Sequence, residues 1–171
     1  MSRSLLSFFA SLPLLTVSAC GPSAAELQRA HDAHYRGTPI ALLDGAEAAA
    51  LAAYYKVYDR DDGEGTLVTV RKLFTADGGV EGVGTGDVIQ YSDRSIALTY
   101  VVRVARADDG GFTVEVEPKV QRLFVGRPNP DDVPVGDPTM PGWVIGRTEA
   151  LTVAIHDRLA EYEARREPVT E

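Results

Sequence analysis

Two neighbouring stretches of alternating apolar and polar residues constrain this 171-residue chain more than any other feature. In the first, Ile96, Leu98, Tyr100, Val102 and Val104 share one parity, with Thr99 and Arg103 on the other. In the second, Phe112, Val114 and Val116 alternate with Thr113, Glu115 and Glu117. A period of two marks a half-buried β-strand. The stretches are joined by Asp108-Asp109-Gly110-Gly111, short enough to make the strands antiparallel neighbours. Their apolar sets meet on one face only if facing residues have equal parity, so the loop needs an odd number of residues. A three-residue loop over 108–110 satisfies this, with Gly110 in the left-handed conformation. The predicted pairs are Val104 with Val114, Val102 with Val116 and Arg103 with Glu115.

Further turn signals stand at Asp61-Asp62-Gly63-Glu64-Gly65, Asp77-Gly78-Gly79 and Ser92-Asp93-Arg94. They divide residues 54–125 into short strands, an antiparallel meander of about five. Pro118 inside the last strand predicts an edge position or a bulge. Before the sheet, Ser23 and Glu26 form an S-x-x-E capping box that starts a helix. Leu27, Ala30, His31, His34 and Tyr35 fall on its inner face, and Gly37 and Pro39 end it. A second helix is expected from Asp44, with Glu47 at the reciprocal position, through the alanines to about Ala53. A last helix spans roughly 147–166, with Leu151, Ile155, Leu159 and Tyr162 as its buried stripe and Arg165-Arg166 at its carboxyl end. The expected fold is α+β, with the N-terminal helices and the C-terminal helix packed on one face of the meander.

The amino terminus has a different character. Arg3 is followed by a mostly apolar run from Leu5 to Leu15, too short for the roughly 20 residues of a membrane-spanning helix and suited to an export signal. Then comes Val17-Ser18-Ala19-Cys20: an aliphatic residue, two small residues and the chain's single cysteine. This segment resembles the lipobox of bacterial lipoproteins, with Val17 where leucine is commoner. The resemblance covers residues 1–20. It implies diacylglyceryl transfer to the Cys20 sulfur, cleavage between Ala19 and Cys20, and a mature chain held on a membrane by its acyl chains. Gly21, rather than aspartate, implies by the same resemblance an outer-membrane destination facing the periplasm in a cell with two membranes. The expected organisation is a signal peptide over 1–19, a lipidated terminus over 20–23 and one domain over 24–171. With a helix starting three residues after the lipid, the domain sits close to the bilayer.

Removing the signal leaves about 150 residues, enough for one domain with a real core. Composition agrees: 44% of residues are hydrophobic and 25% charged. The formal net charge of −8 opposes phosphate backbones, so nucleic acid is not an expected partner. With Cys20 spent on the anchor, the domain has no disulfide and no cysteine for a metal or a nucleophile.

Candidate chemical sites are sparse. His31 and His34 have the spacing to share a metal, but no further ligand is marked beside them. Asp59 to Gly65 looks superficially like a calcium loop, yet no frame puts aspartate first and glycine sixth. Gly78, Gly79, Gly82, Gly84 and Gly86 lack the lysine and following helix of a phosphate loop. There is no G-x-S-x-G nucleophile turn, and 25 acids offer too many carboxylate pairs to single one out. No metal, cofactor or catalytic residue is therefore expected. The segment 126–146, with five prolines and four glycines, is the remaining candidate, because long irregular connections in compact domains are often functional. Pro128, Pro130, Met140 and Trp143 form its possible interaction surface, with Trp143 alternatively filling the core beside the last helix.

The leading expectation is a non-catalytic, lipid-anchored envelope protein that docks on another envelope protein. A carrier of a small apolar ligand or lipid, using a cavity between sheet and helices, is the second; a hydrolase is the third. An apolar pocket of several hundred Å³ under the terminal helix favours carriage, and a filled core favours docking.

Overall fold

The computed structural model describes residues 21–81, 91–108 and 110–164. The segment expected to be an export signal (1–19, with its cleavage site at Ala19), the expected lipidation site Cys20, the glycines at 82, 84 and 86, and Arg165-Arg166 lie outside them.

The β4–β5 hairpin is the centre of the sheet. Strand β4 (Ile96–Arg106) and strand β5 (Phe112–Arg122) pair antiparallel along their whole length, with Val104 opposite Val114, Val102 opposite Val116 and Arg103 opposite Glu115. That is the register required by parity. Gly110 takes φ +83° and its N–H donates to Ala107 O at 3.0 Å. Ile96, Leu98, Tyr100, Val102 and Val104 are all buried on one face.

On the other side of β4 lie β2 (Thr66–Thr69) and β3 (Lys72–Phe74), end to end. An extra residue between them shifts the pairing sum by one. Leu67 faces the core beside Val102, and after the shift Phe74 faces it beside Ile96. The irregularity leaves the Tyr100 N–H without a backbone partner from this edge, and the buried Thr69 Oγ1 accepts it at 2.9 Å. Strand β1 (Val57–Asp61) pairs with β2, and β6 (Asp131–Val133) pairs with β5. The sheet is antiparallel throughout, with five positions filled by six strands. Pro118 stands where β5 has no strand on its outer side, since β6 pairs only with 120–122.

The described residues include three helices on one side of the sheet, of which the second and third pack on the strands and the first packs on the third. Helix α1 (Ala24–Asp32) carries the expected capping box: Ser23 Oγ accepts from Glu26 N, and Glu26 Oε2 accepts from Ser23 N at 2.8 Å. It ends earlier than its apolar spacing predicts. Ala33 is extended, and Tyr35 pairs its backbone with Phe112 on β5 and sits against Glu163. Backbone pairing to a sheet edge outcompetes at least three more helical residues, 33–35.

Helix α2 (Pro39–Ala52) begins five residues before the expected Asp44. Pro39 is its first residue rather than a terminator of α1, and Thr38 Oγ1 caps Ala41 N at 3.2 Å. Helix α3 (Gly142–Arg158) also begins early and ends early, and Tyr162 belongs to a short 3-10 turn over Ala160–Tyr162. Pro141 provides no side-chain cap, so no sequence signal marked this start. Residues 126–146 are therefore not wholly irregular: they contain β6 and the first turn of α3. None of the described helices is long and apolar enough to cross a membrane.

Leu42, Leu43, Ala46 and Ala50 of α2 and Val144, Leu151, Ile155 and Leu159 of α3 fill the space above the sheet, with essentially no exposed surface. The two helices approach closely at Gly45, where an added Cβ would lie 2.4 Å from Leu159 Cδ2. Leu159 is fully buried and has little room to turn aside, so replacing Gly45 with alanine should cost about 1–3 kcal/mol by overpacking, offset by the roughly 1 kcal/mol that alanine gains over glycine inside a helix. The expected result is a lower urea midpoint with an unchanged far-ultraviolet circular dichroism spectrum.

Candidate functional site

A sheet with helices on one face must leave its other face to water or to a partner. Here that second face is concave. A groove of about 630 Å³ runs over Val68 of β2 and Thr99 and Val101 of β4. Lys119 and Gln121 of β5 and Arg71 form polar margins, and Pro134 and the exposed Val135 stand on the β6 side. The floor is more apolar than a wet face requires, because Val68 sits directly opposite Val101. Glu117, at one margin, is gripped by Lys119 and Arg103, which hold its carboxyl below the usual range. Glu117 is thus neutralised by two cations, and the groove offers hydrophobic contact ringed by oriented polar groups.

The four residues of the expected surface are not brought together. Pro128 is exposed and Pro130 half-buried in the connection from β5 to β6. Met140 and Trp143 instead pack against the core. Trp143 lies 5.1 Å from Phe74, centroid to centroid, and its Nε1–H donates to Ala76 O at 3.0 Å. Arg147 reaches the same turn, donating to Gly78 O at 3.0 Å and stacking over Phe74. Gly78 has φ +93°, and an added Cβ would meet the indole at 2.9 Å. The tryptophan thus fastens the 75–79 turn to α3.

The histidines also separate. His31 stays on α1 and lines a cleft beside β5, while His34 lies in the extended segment beyond the helix. His156 of α3 is buried, with Nδ1 3.0 Å from Tyr35 Oη. Burial, and then the nearby charges of Glu163 and Asp157, push the Tyr35 phenol up to about 12. It therefore keeps its proton at neutral pH and serves as a buried tie between α3 and the 33–36 segment. Among the described residues no group of three or more histidines, cysteines or carboxylates is placed to hold a metal ion.

The calcium-like stretch is a hairpin turn. Asp61 Oδ1 accepts from Gly63 N at 2.9 Å and Glu64 N at 3.0 Å. Arg60 anchors this hairpin to α2, reaching Asp44 and Glu47 at 2.8 Å and Asp62 at 2.6 Å. Those carboxylates raise the guanidinium's proton affinity further, the hydrogen bond from Asp62 most of all.

No known family model matches the chain, and neither does any curated protein. The outer groove was not singled out from the sequence. The available signal was Val101 and Val68 at positions of solvent-facing parity, and it gains meaning only when β2 is known to lie beside β4.

Replacing Tyr35 with phenylalanine should cost about 1–3 kcal/mol at pH 7, because His156 Nδ1 loses its partner in a buried place. An unfolded tyrosine releases its proton near 10, whereas folded Tyr35 holds it to about 12. Stability from this group is therefore complete below pH 10 and falls as pH rises from 10 towards 12. The gap in urea midpoint between the two proteins should narrow between pH 7 and pH 11.

Proposed function

We propose that this chain is a lipid-anchored cell-envelope protein that works without catalysis, by docking its exposed sheet face on another envelope protein. The anchor is read from Val17-Ser18-Ala19-Cys20, and the capping box at Ser23 and Glu26 leaves almost no tether between lipid and domain. The observation that carries the docking reading is the groove of about 630 Å³ on the sheet face that none of the described helices covers. Its hydrophobic floor and oriented polar margin have the make-up of a recognition surface.

Docking is favoured over carriage of an apolar ligand by the space between sheet and helices. Leu42, Leu43, Leu98, Tyr100, Leu151 and Leu159 occupy it. A hydrolase reading gains no support from His156, whose described partner is a phenol rather than a carboxylate. By the lipobox resemblance, the destination is the outer membrane facing the periplasm where the cell has two membranes.

Two variants test this. Cys20→Ser should release the protein from washed membranes into the soluble fraction, where wild type sediments with them. Val101→Glu places a charge on the groove floor. It should retain the wild-type circular dichroism spectrum and lose at least nine-tenths of the protein crosslinks formed in native envelopes, an effect of about 1.4 kcal/mol for each tenfold loss of affinity. An unchanged crosslink pattern in a folded Val101→Glu protein would remove the groove as the docking site.

A further inference from the structure

We propose that the outer edge of β5 between Phe112 and Val120 is a receptor for an extended peptide segment of the docking partner, which adds to the sheet there as a strand. This inference rests on the docking reading and names the kind of segment that the partner supplies.

The argument begins with the alternation of the ladder. Odd-numbered residues of β5 face β4 with their peptide groups, as shown at the two ends by Ala107 N to Gly111 O at 2.9 Å and Leu123 N to Ser95 O at 2.8 Å. The even-numbered residues turn their N–H and C=O outward. Tyr35 takes those of Phe112, with bonds of 2.8 and 2.9 Å. Strand β6 takes the end from Val120 to Arg122. Between them, the outward groups of Val114 and Val116 meet no strand partner among the described residues. Pro118 contributes an outward C=O and has no N–H to offer. The result is a notch in an otherwise covered edge.

A cleft of about 380 Å³ lies along this notch. His31 of α1 and Thr152 of α3 stand on the side shared with Val114 and Val116, Arg103, Glu115 and Glu117 face the other side, and Val135, which also lines the outer groove, borders the cleft at its β6 end. An added strand would place alternate side chains into these two environments. The apolar side suits small or branched hydrophobic residues. On the other side Glu115 is exposed, and Arg103 bonds Glu117 rather than Glu115. With a chain of net charge −8, this favours lysine or arginine at the intervening positions of the partner.

The notch also selects its occupant by length. Residues 113–119 give about seven positions, roughly 23 Å at strand rise. A second copy would bring the same flanking Tyr35 and β6 segments, which would collide with their counterparts. A single extended segment has no such flanks.

The test uses a random heptapeptide library displayed on phage, selected against the folded protein, with the recovered peptides then synthesised. Selected peptides should alternate apolar and basic residues. They should slow hydrogen exchange of the Val114 and Val116 amides, both of which should exchange quickly in the free protein. N-methylation of a bound peptide at the peptide groups facing β5 should weaken binding about tenfold per hydrogen bond lost, and methylation at the intervening groups should not. Because the modification is on the peptide, protein folding does not enter the result. Slow exchange at Val114 and Val116 in the free protein would overturn the inference. So would failure to recover any binding peptide, peptides that protect other amides, or self-association of the chain in size-exclusion chromatography. If heptapeptides fail while Val101→Glu still abolishes native crosslinks, docking by the groove stands and strand addition falls.

Discussion

The antiparallel ladder between β4 and β5 is the interaction on which the rest of this structure depends. It sets which side chains are buried: Ile96, Leu98, Tyr100, Val102 and Val104 on one face, and Thr99, Val101 and Arg103 on the other. A slip of one residue would exchange those sets and present Arg103 and Glu117 to α2 and α3. Every other described strand attaches to this pair, β1 by way of β2. β2 and β3 share the free side of β4, Tyr35 and β6 share that of β5, and the helices pack on the apolar face that the ladder creates.

Two local devices reconcile the neighbours with that ladder. The extra residue between β2 and β3 changes parity, so Leu67 and Phe74 both reach the core although their positions differ by an odd number. The Thr69 hydroxyl then accepts the Tyr100 N–H that the irregularity would leave unpaired in a buried place. At the opposite edge, Tyr35 gives up a helical conformation to pair with Phe112 and sends its phenol inward to His156. The same two edges define the groove and the notch. The groove exists because β2 brings Val68 beside Val101, and the notch exists because Tyr35 and β6 cover only the ends of β5.

Legibility in the sequence followed the range of the interaction that decides each feature. The hairpin register was readable because alternation and Gly110 act over a few residues and agree. The capping box of α1 was readable for the same reason. Thr38-Pro39 was ambiguous, since proline ends one helix and begins another with equal ease, and it was assigned to the wrong side. His34 and Tyr35 fitted helical spacing, but a strand edge far away in sequence claimed their backbone. Trp143 was weighed between surface and core; its partners, Ala76 and Phe74, are turn and strand residues that no local pattern connects to α3.

By itself the sequence determined the α+β class, the central register and the apolar face that the helices must cover. These follow from short-range covalent and steric rules and from the periodicity of side chains along one segment. Only the tertiary structure decided that Val68 and Val101 share a groove, that His31 and His34 part company, and that Val114 and Val116 turn towards a cleft peptide groups that no strand among the described residues pairs. Each of those depends on which distant segment occupies the neighbouring position, and that choice belongs to the packing of the whole chain.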